Sequence, residues 1–429
     1  MSKALVAWTA PTAERGVTAT VRLPGSKSMM ARALVLGAIS DGPTVLREPL
    51  RARDTELMAS GLRALGAAVS TVDESQWLVR PHQLTGPAMV DVGLAGTVMR
   101  FIPPIAGLAD GPVTFDGDPY ARKRPLGPLL GALGGLGVAI EARPTADGGG
   151  LPLTIHGKGR VAGGEVTIDA SASSQFVSGL LLAGSAYDRG LVVRHVGPPM
   201  PSAPHVRMTV QMLRAAGAAV DDVTAAVWTI EPGQLRGRSW DIEPDLSGAA
   251  PFLAAALVTG GTVTVPGWPT STTQPGDHLR DLLTRMGGSV TLTPDGLTVR
   301  GSGVIHGVDA DLSEGSELSM VIAALAALAD SPSRLTGIGH IRNHETDRLA
   351  ALTRELSGLG TSVLELPDGL LIQPKPLTGG VFETYDDHRM AHAGAVLGLA
   401  VPGIDLTDIA CTSKTMPDFP RLWTDMVLA

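Results

Sequence analysis

The chain is poor in cysteine and in aromatic side chains. Its 429 residues include one cysteine, Cys411, and only 3% Phe, Trp and Tyr. A single cysteine excludes an internal disulfide and is typical of proteins in a reducing cytoplasm. The aromatic residues are too few to predict a stacking platform for single-stranded nucleic acid. Nor does the chain contain an apolar run of the roughly 18 residues that a membrane-spanning helix needs.

Basic residues are also scarce, and no Lys/Arg tract is present. Acidic residues outnumber basic ones by 42 to 34, which gives a net charge of −8. Nucleic acid is therefore not expected as a partner. The N-terminal segment MSKALVAWTAPTAERG lacks the apolar core of a secretory signal, which again favours the cytoplasm over a membrane or an exported location.

What the chain has in abundance is apolar helical sequence that follows a polar or glycine-rich start. The combination occurs six times, at intervals of about 70–80 residues. The six polar starts are at residues 25–28, 95–97, 173–175, 246–248, 317–319 and 386–389. Helices without a polar stripe are predicted to be buried. Because a helix N-terminus is the positive end of the helix dipole, six such starts predict a shared anion-binding site.

A second sequence motif recurs at the same intervals as the first. It is an amphipathic helix that ends at a glycine and runs into a strand, and it occurs at residues 62–69, 133–140, 213–220, 283–290 and 356–363. A glycine at this place is typical of a left-handed helix C-cap. The period is too long for a short solenoid repeat and predicts a β-α-β-type subdomain used six times. The chain length favours two domains.

Positively charged residues concentrate at or beside the polar starts, although the chain is acidic overall. These residues are Lys27, Arg32, Arg100, Arg122, Lys123, Arg124, Arg348, Arg389 and Lys414. The P-loop pattern G-x-x-x-x-G-K-[ST] is absent, so a nucleotide kinase is disfavoured. For each start taken alone, a capped helix with solvated charges remains an alternative.

Acidic residues join these cations in the C-terminal third. Glu345 and Arg348 are spaced i, i+3, which predicts a pair on one helix face, and a solvated salt bridge is the usual explanation for such a pair. The charges at 386–389 begin a buried helix, where they are costly without a partner or ligand. A zinc site at His388 and His392 is a poor alternative, since neither an H-E-x-x-H pattern nor a thiolate pair accompanies them.

Seven phrases in a fixed order resemble the motifs of the enolpyruvyl transferases. They are PGSKS, AGTVMRF, KRPLG, SSQFVSGLLL, HETDRLAAL, DDHRMA and SKTMPDFP, and they span residues 24–420. The resemblance implies a two-domain inside-out α/β barrel, with three βαβαββ-type units and buried helices in each domain. It further implies that domain one is 1–24 plus 243–429, that domain two is 25–242, and that the active site lies in the cleft between them.

The resemblance also implies a reaction. The matching members transfer the enolpyruvyl group of phosphoenolpyruvate to the 5-hydroxyl of shikimate 3-phosphate, on the shikimate pathway to chorismate and the aromatic amino acids. The products are 5-enolpyruvylshikimate 3-phosphate and phosphate. Domain one is then expected on the phosphoenolpyruvate side and domain two on the shikimate 3-phosphate side. No metal or organic cofactor is implied, and a monomer is expected.

The matching motifs imply the site residues position by position. Those implied for shikimate 3-phosphate are Lys27, Ser28, Arg32, Ser173, Ser174, Gln175, Ser202, Glu317 and His344. Those implied for phosphoenolpyruvate are Lys27, Gly96, Thr97, Arg124, Gln175, Arg348, Arg389 and Lys414. The implied catalytic residues are Glu317, which takes the proton of the attacking hydroxyl, Glu345, the acid beside the methylene carbon, and Lys27. One carboxylate base and one carboxylic acid are what this addition needs.

Five positions depart from the family pattern on the acceptor side. They are Met29, Met30, Ala31, Leu94 and Gly248. They leave open a transferase that acts on another phosphorylated alcohol. A catalytically inactive anion-binding homologue is a further alternative, although it would be expected to lose one of the two glutamates. The cell-wall enolpyruvyl transferase that acts on UDP-N-acetylglucosamine is disfavoured, because the loop at 116–127 lacks its cysteine.

Overall fold

The computed structural model describes residues 7–142 and 150–428. The chain forms two compact units, of which unit one comprises residues 1–24 and 243–429 and unit two comprises residues 25–242. Residues 1–6 of the segment predicted to lack a secretory signal fall outside the described ranges. Within those ranges, no helix has both the length and the apolar content that crossing a bilayer requires.

Helices and groups of one to three strands follow one another along both units. The α-helices are α1 (Lys27–Ala38), α2 (Arg53–Ala64), α3 (Gly96–Ala106), α4 (Gly127–Gly135), α5 (Gln175–Gly184), α6 (Pro204–Ala215), α7 (Ala250–Thr259), α8 (Leu279–Arg285), α9 (Ser319–Ala327), α10 (Arg348–Gly358), α11 (His388–Gly398) and α12 (Phe419–Leu428). The strands are β1 (Trp8–Thr9), β2 (Thr18–Thr20), β3 (Thr44–Arg47), β4 (Ala68–Asp73), β5 (Gln76–Arg80), β6 (Ala88–Asp91), β7 (Asp110–Asp116), β8 (Ala139–Ala142), β9 (Leu153–Lys158), β10 (Gly164–Ile168), β11 (Leu191–His195), β12 (Val220–Asp221), β13 (Val227–Ile230), β14 (Ser239–Asp241), β15 (Thr262–Pro266), β16 (Ser289–Thr293), β17 (Gly296–Arg300), β18 (Asp309–Asp311), β19 (Ser333–Thr336), β20 (Ser362–Leu366), β21 (Gly369–Gln373), β22 (Gly380–Phe382) and β23 (Ile404–Leu406).

Each unit carries three small sheets built to one plan. Unit two has the strand orders β14-β3-β5-β4, β6-β7-β9-β8 and β10-β11-β13-β12, and unit one has β16-β17-β15-β2, β18-β19-β21-β20 and β1-β23-β22. In the four-stranded sheets a parallel pair, such as β6 with β7, is followed by an antiparallel hairpin, such as β9 with β8. The sixth sheet replaces the hairpin with β1, which pairs antiparallel with β23. The predicted α/β fold with six βαβαββ-type repeats is confirmed, the last in this reduced form.

The six apolar helices are buried as their composition predicts. In α9 all nine residues are buried, and in α11 all eleven. One hydrophobic core forms around α1, α3 and α5, and a second forms around α7, α9 and α11. Burial on every side explains why these helices have no polar stripe.

Amphipathic helices lie between the buried ones along the chain, and they end at glycine as the second sequence motif predicts. The glycines of the five phrases all have positive φ, namely Gly66 (104°), Gly137 (88°), Gly217 (96°), Gly287 (101°) and Gly360 (117°). A side chain with a Cβ is strained at such φ values, so glycine is needed to turn the chain from the helix into the following strand.

Helices α3 and α5 approach closely where a backbone carbonyl of α3 meets a glycine of α5. Pro104 lies inside α3 and has no N–H with which to bond the carbonyl of Arg100. This carbonyl lies against Gly179 of α5, where an added Cβ would be 2.1 Å from the oxygen. The close approach depends on glycine at 179 and fixes the relative position of the two helix N-termini.

Candidate active site

The N-terminus of α1 presents Lys27 next to a buried carboxylate. The Ser26 side chain caps the helix by accepting a hydrogen bond from Met29 N at 3.4 Å. Lys27 Nζ lies 3.3 Å from Asp54 Oδ2, and the Asp54 side chain is 3% exposed. Because the Lys27 side chain remains 22% exposed, Asp54 orients Lys27 without enclosing it.

Arg32 lies one turn further along α1 and is buried. Its Nε donates to Thr209 Oγ1 at 2.7 Å, and its Nη1 donates to the Ser28 carbonyl at 2.8 Å. Its Nη2 donates to Ser178 Oγ and to the His205 carbonyl. Burial lowers the pKa of Arg32 to about 9. All four acceptors are neutral, so the charge of this guanidinium has no carboxylate partner in the described part of the chain.

The N-termini of α3 and α5 meet at Gly96. A Cβ added at Gly96 would lie 3.0 Å from Arg100 Nη1, 3.0 Å from Gln175 Oε1 and 3.1 Å from Arg124 Nη2. Arg124 is 7% exposed, and its Nη1 donates to the Leu94 carbonyl at 3.0 Å. Within the described ranges, Thr97 Oγ1, Arg124 Nε and Gln175 Oε1 are buried without a hydrogen-bond partner. Buried polar atoms of this kind require an explanation, and a bound polar ligand supplies one.

Serines stand at the starts of α5 and α6. Ser173 Oγ accepts from Gln175 N at 3.3 Å, and Ser174, the N-cap position, is buried. Ser202 precedes α6 with a positive φ of 52° and is 7% exposed. A positive φ is uncommon outside glycine and often marks a functional position.

In unit one, α10 and α11 bring their N-termini together through Arg348 and Asp387. Arg348 Nε donates to Asp387 Oδ2 at 2.7 Å, and Nη2 donates to Asp387 Oδ1 at 3.0 Å. Arg348 Nη2 also donates to Glu345 Oε2 at 2.9 Å. Lys414 Nζ donates to the other oxygen of Glu345. Burial opposes the charged form of Arg348, but the attraction of Asp387 and Glu345 outweighs it and raises the pKa of the guanidinium.

Arg389 differs from its neighbours in this network. Asp387 accepts from the Arg389 backbone N–H as the N-cap of α11, while Arg389 Nη1 donates to the Ser247 carbonyl at 2.7 Å. The residue is 6% exposed. Among the described residues, no carboxylate pairs with its guanidinium, so Arg389 supplies a positive charge beyond the balanced set of Arg348, Lys414, Glu345 and Asp387.

The predicted placement of Glu345 on a helix face is wrong. Helix α10 begins at Arg348 because Asp347 caps it, accepting a hydrogen bond from Ala350 N. Glu345 therefore precedes the helix, and its pair with Arg348 spans the helix N-terminus. The pair is also not solvated, since the two side chains are 9% and 3% exposed. Removing one partner of a buried pair is far more costly than breaking a surface one.

Glu317 lies in the single 3-10 turn Ser316–Leu318 that precedes α9. Two histidines lie in the segment before α10. His344 Nδ1 is 2.9 Å from Arg348 Nη1, and since a guanidinium only donates, Nδ1 is the acceptor of this contact. The ring of His340 lies 5.7 Å from that of His344.

Not every predicted cation joins these clusters, and some contributing residues were not predicted. Arg122 and Lys123 are exposed, and Arg122 pairs with Asp116 at 2.7 Å. The motif matches did not single out Asp54 or His340. Asp54 is an ordinary first-turn acid in the sequence, and no local pattern there signals its pairing with Lys27.

The described residues contain no group of three or more His, Cys, Asp or Glu side chains placed to hold a metal ion. The zinc alternative at His388 and His392 therefore lacks a third ligand there. The two rings lie 6.0 Å apart in an edge-on arrangement.

The chain matches one family model along most of its length. The family is described as EPSP synthase (3-phosphoshikimate 1-carboxyvinyltransferase), and the match covers residues 11–423. A protein named 3-phosphoshikimate 1-carboxyvinyltransferase from Kocuria rhizophila is 52% identical over 421 residues, which are 96% of this chain and 94% of that protein.

Solved structures resemble the fold at lower sequence identity. An EPSP synthase from Acinetobacter baumannii superposes with a TM-score of 0.80 at 24% identity and covers 97% of both chains. The enolpyruvyl transferase NikO from Streptomyces tendae superposes with a TM-score of 0.74 at 18% identity, covering 97% of this chain and 96% of its own. On the strength of the family model and the 52% identical relative, this chain belongs to the EPSP synthase family.

Proposed function

We propose that the protein transfers the enolpyruvyl group of phosphoenolpyruvate to the 5-hydroxyl of shikimate 3-phosphate and releases phosphate. The observation that carries the proposal is a set of three buried arginines, Arg32, Arg124 and Arg389. None of them has a carboxylate partner among the described residues. A buried charge without a counter-ion is strongly unfavourable, and the phosphates and carboxylates of these two substrates would supply the missing negative charge.

Residues of both units are proposed to act on the same substrate pair. Unit two contributes most of the shikimate 3-phosphate contacts, namely Lys27, Ser28, Arg32, Ser173, Ser174, Gln175 and Ser202, and unit one adds Glu317 and His344. The phosphoenolpyruvate contacts are Lys27, Gly96, Thr97, Arg124 and Gln175 from unit two and Arg348, Arg389 and Lys414 from unit one. The serines and the polar helix starts suit phosphate, and the arginines suit bidentate pairing with phosphate or carboxylate.

The chemistry proposed for these groups is an addition followed by an elimination. Glu317 takes the proton of the 5-hydroxyl as its oxygen attacks the central carbon of phosphoenolpyruvate, while Glu345 protonates the methylene carbon to give a methyl group. The adduct then returns a methyl proton to the carboxylate of Glu345 and breaks its carbon–oxygen bond to phosphate, which restores the double bond and releases phosphate. Lys27 stabilises the phosphate that leaves.

The contacts of Glu345 join it to two of the cations that are proposed to bind phosphoenolpyruvate. Arg348 and Lys414 both donate to its carboxylate. Phosphoenolpyruvate competes for the same two cations with its own negative groups. The cations that bind Glu345 in the free protein are therefore the groups proposed to bind phosphoenolpyruvate.

The protein is further proposed to work as a monomer in the cytoplasm without a metal or organic cofactor. The sequence has one cysteine, Cys411, and a low cysteine content is typical of proteins in a reducing compartment.

The test is phosphate release from phosphoenolpyruvate with shikimate 3-phosphate as acceptor, with the product identified by mass. A panel of other phosphorylated alcohols distinguishes the alternative acceptors. Arg124→Ala and Arg122→Ala form a matched pair, because both residues lie in one loop but only Arg124 is buried at Gly96. We expect Arg124→Ala to lower kcat/KM for phosphoenolpyruvate by at least about 100-fold and Arg122→Ala to leave it within about threefold. Wild-type protein that turns over another acceptor faster than shikimate 3-phosphate would contradict the proposal.

A further inference from the structure

The loop between β19 and α10 begins with a backbone segment held by a single residue. Asp368, in the turn between β20 and β21, accepts from Gly339 N at 2.6 Å through Oδ1 and from Gly337 N at 3.1 Å through Oδ2. Its carbonyl accepts from Ile338 N at 3.3 Å. Three successive N–H groups are thus bound to Asp368, so the backbone that leads into His340 has a fixed position.

From this fixed backbone the His340 side chain reaches the turn that carries Glu317. His340 Nε2 lies 2.9 Å from Ser316 Oγ, and Ser316 is fully buried. The carbonyl of Ser316 also accepts from the Ser319 hydroxyl at 2.7 Å. Ser316 immediately precedes Glu317, so the hydrogen bond acts on the first residue of the turn Ser316–Leu318.

The charge state of His340 makes this contact a neutral hydrogen bond. Burial lowers the pKa of His340 below its ordinary value, and Arg348 lowers it further, while the carboxylates of Glu317 and Asp368 act in the opposite direction. A neutral ring does not hold Glu317 as an ion pair would. The effect of His340 on the Glu317 carboxylate is therefore to set the position of that carboxylate.

We propose that His340 is a positioning residue for Glu317, which it aims by holding the Ser316 hydroxyl and with it the turn Ser316–Leu318. A single 3-10 turn has poor hydrogen-bond geometry and depends on support from outside. The inference rests on the proposed function, in which Glu317 takes the proton of the acceptor hydroxyl. A base displaced by about 1 Å costs on the order of 100-fold in rate, so support of this kind is visible in kcat.

Two substitutions distinguish the effect of losing the hydrogen bond from the effect of losing the imidazole ring. The amide of glutamine reaches about as far from the backbone as Nε2 of histidine, so His340→Gln keeps a partner for Ser316, whereas His340→Ala does not. We expect His340→Ala to lower kcat by about 10- to 100-fold and His340→Gln to stay within about threefold of wild type. KM for both substrates should change by less than about threefold. Ser316→Ala removes the bond from its other end and carries the test if His340→Ala does not fold.

The double variant His340→Ala with Ser316→Ala should lose no more activity than Ser316→Ala alone, because the bond between the two residues is already absent from that single variant. His306→Ala is the control, since His306 is an exposed histidine of the same unit paired only with Asp330 in the described chain, and it should match wild type. Three outcomes would each overturn this inference while leaving the proposed function intact. They are an equal kcat in His340→Ala and wild type, equal losses in His340→Ala and His340→Gln, and a raised KM with unchanged kcat. An inactive wild type would overturn the proposed function and this inference with it.

Discussion

Replacing His392 with methionine is expected to stabilise the protein, and to do so more strongly in acid. His392 lies on α11 and is fully buried, with its ring 4.6 Å from that of Phe419. Neither ring nitrogen has a hydrogen-bond partner among the described residues. Burial, reinforced by the positive charges of Arg389 and Arg348, holds the pKa of His392 well below its usual range.

The size of the effect follows from these contacts. An unsatisfied buried polar group costs about 1–3 kcal/mol, and methionine has a similar reach and packs well on aromatic rings, so the variant should gain about that much at pH 7.5. The folded state keeps the ring neutral while the unfolded chain takes up a proton below about pH 6.5. The part of the wild-type free energy of unfolding that depends on His392 is therefore constant above about pH 6.5. Below that pH it falls by about 1.4 kcal/mol per pH unit, or about 2 kcal/mol by pH 5.

Urea unfolding of wild type and His392→Met between pH 5 and 8 measures this difference. Other groups titrate in both proteins, so the quantity of interest is the variant's free energy of unfolding minus that of wild type at each pH. His82→Met is the control, because His82 is exposed and its ring loses little water on folding. A difference for His392→Met that stays constant from pH 7.5 to pH 5 would refute the argument, since the folded protein would then protonate His392 as readily as the unfolded chain.

Three further substitutions test packing and backbone features. Asp387→Ala leaves Arg348 buried without its bidentate partner and should cost about 3–5 kcal/mol in denaturant unfolding. Gly179→Ala places a methyl group 2.1 Å from the Arg100 carbonyl, so calorimetry should show a loss of about 1–3 kcal/mol. Gly137→Ala meets no atom within 4 Å but has a φ of 88°, so its unfolding free energy should fall by about 1–2 kcal/mol from backbone strain alone. An unchanged free energy of unfolding in Gly137→Ala, together with a lower one in Gly179→Ala, would show that steric contact destabilises these variants and that positive φ does not.

The repeats could be predicted because their signals are local. A helix that is apolar on all faces, such as α9, can only be buried, and a glycine such as Gly360 marks the end of a helix within a few residues. The sequence does not show which strand completes each sheet. Strand β14 pairs with β3 nearly 200 residues earlier, at Trp240 with Leu46 for example, and no local pattern encodes such a distant partner.

The residue types of the candidate site could be predicted from the ordered motifs, but their pairing could not. The bond between Arg348 and Asp387 joins the starts of two helices, and its carboxylate belongs to a motif almost 40 residues later. The interpretation of Glu345 failed for a related reason. An i, i+3 spacing implies one face only if both residues are helical, and the cap at Asp347 excludes Glu345 from α10.

The pairing of β2 with β15 has a consequence for synthesis of the chain. Strand β2 joins its sheet through contacts such as Ala19 with Val263, and all of unit two is encoded between them. At about 5–20 residues per second, the ribosome needs roughly 10–50 s to supply the partner of β2. Unit two can close its three sheets in this interval, while the edge of β2 stays available for other contacts. The nascent chain is thus expected to need a chaperone mainly for its first strands, and moving them to the C-terminal end of the gene should reduce aggregation during expression.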